Sequence, residues 1–171
     1  MALRARELPY RLLLPAGLIV AIGHVITQWA HLEDQIDQEI VELGRLPACA
    51  PLNPKGLMRR SVEARLRGWR DMSLAAYSNP RDRATVDEIC RGAKATKPDR
   101  DAAAHAIWGT GDSGLIEFRA KRGKPASIKE RGDAIREMEE CARKISSLNA
   151  LHLRLRACVE NIFAASGDDG V

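Results

Sequence analysis

A chain of 171 residues is long enough to form one domain with a hydrophobic core. Hydrophobic residues make up 45% of it and charged residues 29%, which excludes a disordered or low-complexity protein. The net charge is +4, with 20 Arg and 7 Lys, and because arginine pairs bidentately with phosphates this bias favours contact with a polyanion, although a genome rich in arginine codons gives the same bias.

The first half of the chain predicts three helices. Residues 1–16 are predicted to form an N-terminal arm, and apolar residues spaced three or four apart predict a long amphipathic helix over 17–44. A proline-rich loop over 47–54 precedes a second helix over 56–77, which Asn79-Pro80 ends. A third helix covers 81–95, and Thr96 and Pro98 are expected to break or restart it.

The second half predicts a short helix, a hairpin and a long helix. Three alanines favour a helix from Pro98 to Trp108, and glycines follow it. Residues 115–120 and 126–130 predict two strands of a β-hairpin, and 133–164 predict the last helix, with 166–171 as a flexible tail. We therefore expect an all-α fold, an antiparallel bundle of four to five helices with a small β-hairpin before the last long helix, as a single domain over 1–171.

Neither metal ligands nor a membrane segment is predicted. The four cysteines lack zinc spacing, and there is no nucleotide-binding loop or nucleophile elbow, so we expect no metal and no cofactor. The apolar run 12–22 follows arginines as a signal peptide would, but it lacks a cleavage site and is too short to span a bilayer. These features favour a cytoplasmic protein with reduced thiols and no membrane contact.

Arg100, Asp101 and His105 form the strongest motif of the chain. On a helix, Asp101 and His105 are four residues apart and lie side by side, whereas Arg100 is rotated by a third of a turn or more from His105. A cation, an acid and an imidazole on one short helix suit chemistry on a phosphate. The alternative is an ordinary ion pair on a solvated helix face.

This Arg-x-x-x-x-His motif, set in a helical bundle before a turn, a hairpin and a final long helix, resembles the HEPN superfamily. The segments Ala106-Ile107-Trp108-Gly109 and Trp29-Ala30-His31-Leu32-Glu33 also resemble uncharacterised bacterial branches of that superfamily. The resemblance implies a homodimeric, metal-independent endoribonuclease that leaves a 2′,3′-cyclic phosphate, with a toxin or antiviral-defence role and a possible antitoxin partner. The alternatives are a catalytically inactive helical module that binds a protein or nucleic acid, and a ligand-sensing domain.

The residues allow each step of such a reaction. His105 could take the proton from an RNA 2′-hydroxyl or protonate the leaving 5′-oxygen. Arg100 could neutralise the charge that develops on phosphorus. Asp101, one turn before His105, could accept a proton from the imidazole and fix its tautomer, although many active HEPN members carry a neutral or basic polar residue at this position.

Two basic patches are candidate RNA contacts. The first is predicted on the outer face of the second helix: Arg59, Arg60, Arg65, Arg67 and Arg70. The second is the hairpin tip: Arg119, Lys121, Arg122 and Lys124. Each patch could instead be an ordinary solvated surface, and neither has the aromatic side chains that stack on bases.

The remaining polar and aromatic residues have structural explanations. Glu33 and Asp37, one turn apart on the first helix, could bind Arg100 or form a structural salt bridge. The other histidines and the tryptophans are predicted to pack in the core, to lie at the surface or to line a dimer interface: His24, His31, His152, Trp29, Trp69 and Trp108.

Overall fold

The computed structural model describes residues 14–110, 115–119 and 127–166. Within these ranges the chain forms five α-helices: α1 (Ala16–Leu43), α2 (Pro54–Leu57), α3 (Val62–Ala76), α4 (Pro80–His105) and α5 (Arg131–Ser166). A 3₁₀ helix, Pro47–Leu52, lies between α1 and α2. The predicted all-α bundle is confirmed, and no described helix is long and apolar enough to cross a bilayer.

A three-stranded antiparallel sheet precedes the last helix, where the sequence predicts a two-stranded hairpin. The strands are β1 (Ile107–Thr110), β2 (Ile116–Arg119) and β3 (Ser127–Lys129), with β2 in the centre. Trp108 lies opposite Phe118, and Thr110 opposite Ile116. The predicted hairpin tip, with Lys121, Arg122 and Lys124, lies outside the described residues.

Helix α4 does not break at Pro98, so the predicted interruption is wrong. Thr96 does not cap a new helix, because its hydroxyl donates back along α4 to the carbonyls of Gly92 (3.0 Å) and Ala93 (3.3 Å). Ala93 and Ala103 are both buried, so the inward face of α4 continues on both sides of Pro98, which is itself exposed. The gain from burying this face outweighs the one backbone hydrogen bond that a proline removes.

The helix that carries the motif is shorter than predicted. It ends at His105, three residues before Trp108, because Ile107–Thr110 pairs with β2. Alanine propensity alone cannot register this competing strand pairing.

The chain divides into two compact units. Unit 1 comprises the described residues of Met1–Ile26 and Pro98–Ala142, and unit 2 those of Thr27–Lys97 and Arg143–Val171. In unit 1, Leu18, Val25 and Ile116 are fully buried. In unit 2, the largest fully buried side chains include Trp69 and Met72.

Candidate functional site

The Arg100–His105 motif occupies the last two turns of α4. Two donors that follow the helix bond to one carbonyl in its last turn. The amide of Ala106 donates to the carbonyl of Ala102 (3.1 Å), and the indole Nε1 of Trp108 donates to the same oxygen (3.0 Å). Trp108, which belongs to β1, is only 8% exposed, so its packed side chain holds the end of α4 in place.

The three motif side chains differ in exposure and in partners. The guanidinium Nη1 of Arg100 lies 2.9 Å from Oδ1 of Asp101, and the two side chains are 18% and 35% exposed. His105 is exposed, and in the described part of the chain it makes no hydrogen bond or ion pair. The expected Asp101–His105 contact is therefore not formed, since Asp101 turns to its neighbour in sequence.

Glu33 and Asp37 form a structural salt bridge, one of the two alternatives that the sequence left open. Arg65 of α3 donates from Nη2 to Oε2 of Glu33 and from Nη1 to Oδ2 of Asp37, both at 2.6 Å. The indole of Trp29 also donates to Glu33. Burial raises the pKa of Asp37, while the Arg65 cation acts in the opposite direction.

The predicted basic face of the second helix needs two corrections. Arg65 points inward, with 16% of its side chain exposed, because both of its acidic partners lie on α1. Arg59 and Arg60 do not belong to α3, since Ser61 caps that helix by accepting from the amide of Ala64. They are exposed in the turn between α2 and α3.

Arg67 and Arg70 do share one side of α3, and the structure adds two lysines from α4 to them. The two helices are antiparallel neighbours, because Glu63 in the first turn of α3 pairs with Lys97 of α4, whereas Arg70, later in α3, pairs with Asp87, earlier in α4. Between them lies a concavity of about 440 Å³, here named the α3–α4 groove. Its walls are Glu63, Leu66, Arg67, Arg70, Cys90, Lys94 and Lys97.

Lys94 and Lys97 are not among the residues predicted from the sequence, although a signal was present. Both pairs, Arg67 with Arg70 and Lys94 with Lys97, are three residues apart, so each pair lies on one face of its helix. Only the short connection between α3 and α4 brings the two faces together.

A buried polar cluster in unit 2 was also missed. Tyr77 donates to Oε1 of Glu39 (2.6 Å), and Nε2 of His152 lies 2.6 Å from Oε2 of Glu39, in an approach that is not aligned as a regular hydrogen bond. Glu39 and His152 are both 0% exposed, and the His152 ring is 5.5 Å from the ring of Trp69. The signal was an acidic residue on the inward face of the first helix.

Comparisons of this chain with protein-family models, with curated proteins and with solved structures give no match.

Proposed function

We propose that this protein is a metal-independent endoribonuclease of the HEPN type, with a toxin or antiviral-defence role. The observation that carries the proposal is His105, exposed and without a hydrogen bond in the described part of the chain, in the same helix end as Arg100. An imidazole free of internal partners can exchange protons with a substrate, which an engaged one cannot do without first breaking its bond.

In the proposed reaction the 2′-oxygen of RNA bonds to phosphorus and the bond to the 5′-oxygen breaks. His105 takes the proton of the 2′-hydroxyl, and the imidazolium of a second copy gives a proton to the 5′-oxygen, which leaves a 2′,3′-cyclic phosphate. Arg100 stabilises the charge on the phosphate oxygens. Asp101 acts as a positioning residue, because its carboxylate holds the Arg100 guanidinium at 2.9 Å.

A homodimer is part of the proposal, since one motif supplies one imidazole. Apolar side chains on α1 support this assembly: Ile19, Val20 and Ile26 are 54%, 55% and 43% exposed. An exposed apolar stripe of this kind is typical of a surface that a partner covers.

The test is incubation of the purified protein with total RNA in the presence of EDTA. We expect cleavage to cyclic-phosphate ends and a loss of at least about a hundredfold in His105→Ala and Arg100→Ala. The matched control is His24→Ala, which removes another exposed histidine of unit 1. Growth inhibition on expression should be relieved by the same two substitutions. Cleavage that persists in His105→Ala would refute the assignment.

The second candidate function is an inactive helical module that binds a protein partner or nucleic acid. One observation favours it: the Arg100 guanidinium is already engaged by Asp101. For this function we expect RNA or a protein from a neighbouring gene to bind tightly, with no cleavage by the wild-type protein under any metal condition.

A further inference from the structure

The α3–α4 groove carries four cationic side chains and one carboxylate among its seven lining residues. Two of the cations have acidic partners. Arg70 Nε donates to Oδ1 of Asp87 (2.6 Å), and Lys97 Nζ lies 3.4 Å from Oε1 of Glu63. Each of these ion pairs links α3 to α4 across the groove.

Arg67 and Lys94 are the two cations of the groove that make no hydrogen bond or ion pair within the described residues. Both are exposed, and they stand on opposite walls, one on α3 and one on α4. Two like charges facing one concavity repel each other, and an anion placed between them removes that repulsion.

The floor of the groove is uncharged. Leu66 is 8% exposed, and the thiol of Cys90 donates to the Leu66 carbonyl at 3.7 Å. Burial raises the pKa of Cys90 to about 12, despite the nearby Arg70 cation, so this thiol stays neutral at ordinary pH. The floor therefore adds no negative charge that would oppose an anionic ligand.

The lining also indicates which part of a ligand is recognised. None of the side chains that line the groove in the described part of the chain is aromatic, so there is no platform on which a base could stack. The volume of about 440 Å³ falls within the range of small-ligand pockets. A guanidinium and ammonium groups are the usual protein partners of phosphate oxygens.

We propose that the α3–α4 groove is a phosphate-binding site, in which Arg67 and Lys94 bind a phosphate group from opposite walls. Arg70 and Lys97 add positive charge beside them. The phosphate can belong to a free nucleotide or to an RNA chain, because the recognition is the same for both. The site lies entirely in unit 2, and phosphate binding there needs no cleavage step, so it is independent of the proposed nuclease activity.

Binding is measured with two probes: adenosine diphosphate by calorimetry, and a short fluorescent 2′-O-methyl oligouridylate by anisotropy. The methylated oligonucleotide lacks the 2′-hydroxyl nucleophile, so a nuclease cannot consume it. Arg67→Gln and Lys94→Gln should each weaken binding about tenfold, as expected for the loss of one charge-assisted hydrogen bond. Glu63→Gln should tighten it, because it removes the one carboxylate of the groove.

Arg91→Gln is the matched control. It removes the same charge from an exposed position of α4 that does not line the groove, and its affinity should stay within about twofold of wild type. For the oligonucleotide, Arg67→Gln should also reduce the slope of log affinity against log salt by about 0.7, the value for one lost single-strand phosphate contact. Unchanged thermal unfolding midpoints show that the variants remain folded.

The two probes separate the source of the phosphate. Binding of adenosine diphosphate that depends on Arg67 and Lys94 assigns the site to a free nucleotide, and binding of the oligonucleotide alone assigns it to an RNA chain. Absence of binding for both probes overturns the proposal. So does an equal loss of affinity in Arg67→Gln and Arg91→Gln, since the effect would then come from net charge alone.

Discussion

The buried Glu39–His152 pair offers a quantitative test of how unit 2 is stabilised. Both side chains are 0% exposed, and only 2.6 Å separates Nε2 of His152 from Oε2 of Glu39. Removing one member of such a pair leaves the other desolvated and uncompensated, which costs about 3–5 kcal/mol. We therefore expect Glu39→Leu and His152→Leu each to lower the free energy of unfolding by that amount.

The double variant should lose much less than the sum of the two single losses. With both groups replaced by leucine, neither is left buried without the other, and the main penalty is the hydrogen bond that the Tyr77 hydroxyl loses with Glu39. Loss of this hydrogen bond costs about 1–3 kcal/mol. The coupling energy between the two substitutions should thus be at least about 3 kcal/mol, at the upper end of the range for residues in contact.

The control is a second pair on the same two helices. Arg156 of α5 donates from Nη2 to Oε1 of Glu42 of α1 at 2.7 Å, but these side chains are 29% and 30% exposed. Solvent screens such a pair, so the cycle built from Glu42→Ala and Arg156→Ala should give a coupling energy of about 0–1 kcal/mol.

All variants are compared by urea unfolding and by thermal unfolding, each monitored by far-ultraviolet circular dichroism. For a chain of this size, a loss of about 4 kcal/mol corresponds to a decrease of roughly 8–16 °C in the melting temperature. If the Glu39–His152 coupling is no larger than the Glu42–Arg156 coupling, burial does not control the strength of these pairs and the reasoning is refuted.

Three further predictions concern single residues. Burial raises the pKa of Cys90 to about 12, against 9.0 for an ordinary thiol, so its thiolate fraction is about a thousandfold lower. Iodoacetamide should therefore label Cys90 about a thousandfold more slowly than a free thiol. Equal labelling rates would contradict its burial. Because burial raises the pKa of Asp37, the folded state holds this proton to higher pH than the unfolded state does. The wild type should therefore lose stability relative to Asp37→Asn as the pH rises from about 4 towards 7, which unfolding curves at both pH values measure. A gain in relative stability over this range would disprove the prediction. Gly23→Ala should stabilise α1 by up to about 1 kcal/mol, because nothing lies within 4 Å of its added Cβ. Gly44→Ala should instead destabilise the fold by about 1–3 kcal/mol, because its Cβ would lie 2.5 Å from the rigid ring of Pro54. Melting temperatures that shift in the same direction for both variants would contradict this prediction.

Local periodicity predicted most of the helical architecture. The first helix, predicted over 17–44, is α1 (Ala16–Leu43), and the last, predicted over 133–164, is α5 (Arg131–Ser166). Both are long amphipathic segments, in which many apolar residues recur at the same helical spacing. Short or competing segments were less predictable: Pro98 continues a helix, and Ile107–Thr110 is a strand.

The candidate site divides in the same way. The sequence placed Arg100, Asp101 and His105 on one helix end, and the basic residues Arg67 and Arg70 on another helix. It could not show that Asp101 pairs with Arg100 instead of His105, because both partners are within reach of one side chain and rotamers decide between them. Their catalytic role stays a proposal that the RNA-cleavage assay tests.

The amino-acid order by itself determined the two longest helices, α1 and α5, and the buried face of each, because their period follows from residues within a few positions of each other. The partners across the fold were decided only by tertiary structure. Arg65 turns inward to acids about thirty positions away, Lys94 and Lys97 join the arginines of α3, and Glu39 meets a histidine on α5. The repeating pattern of apolar residues indicates which face of a helix is turned towards the core. The side chains that this face contacts belong to another helix, so only the packing of the two helices specifies the contact.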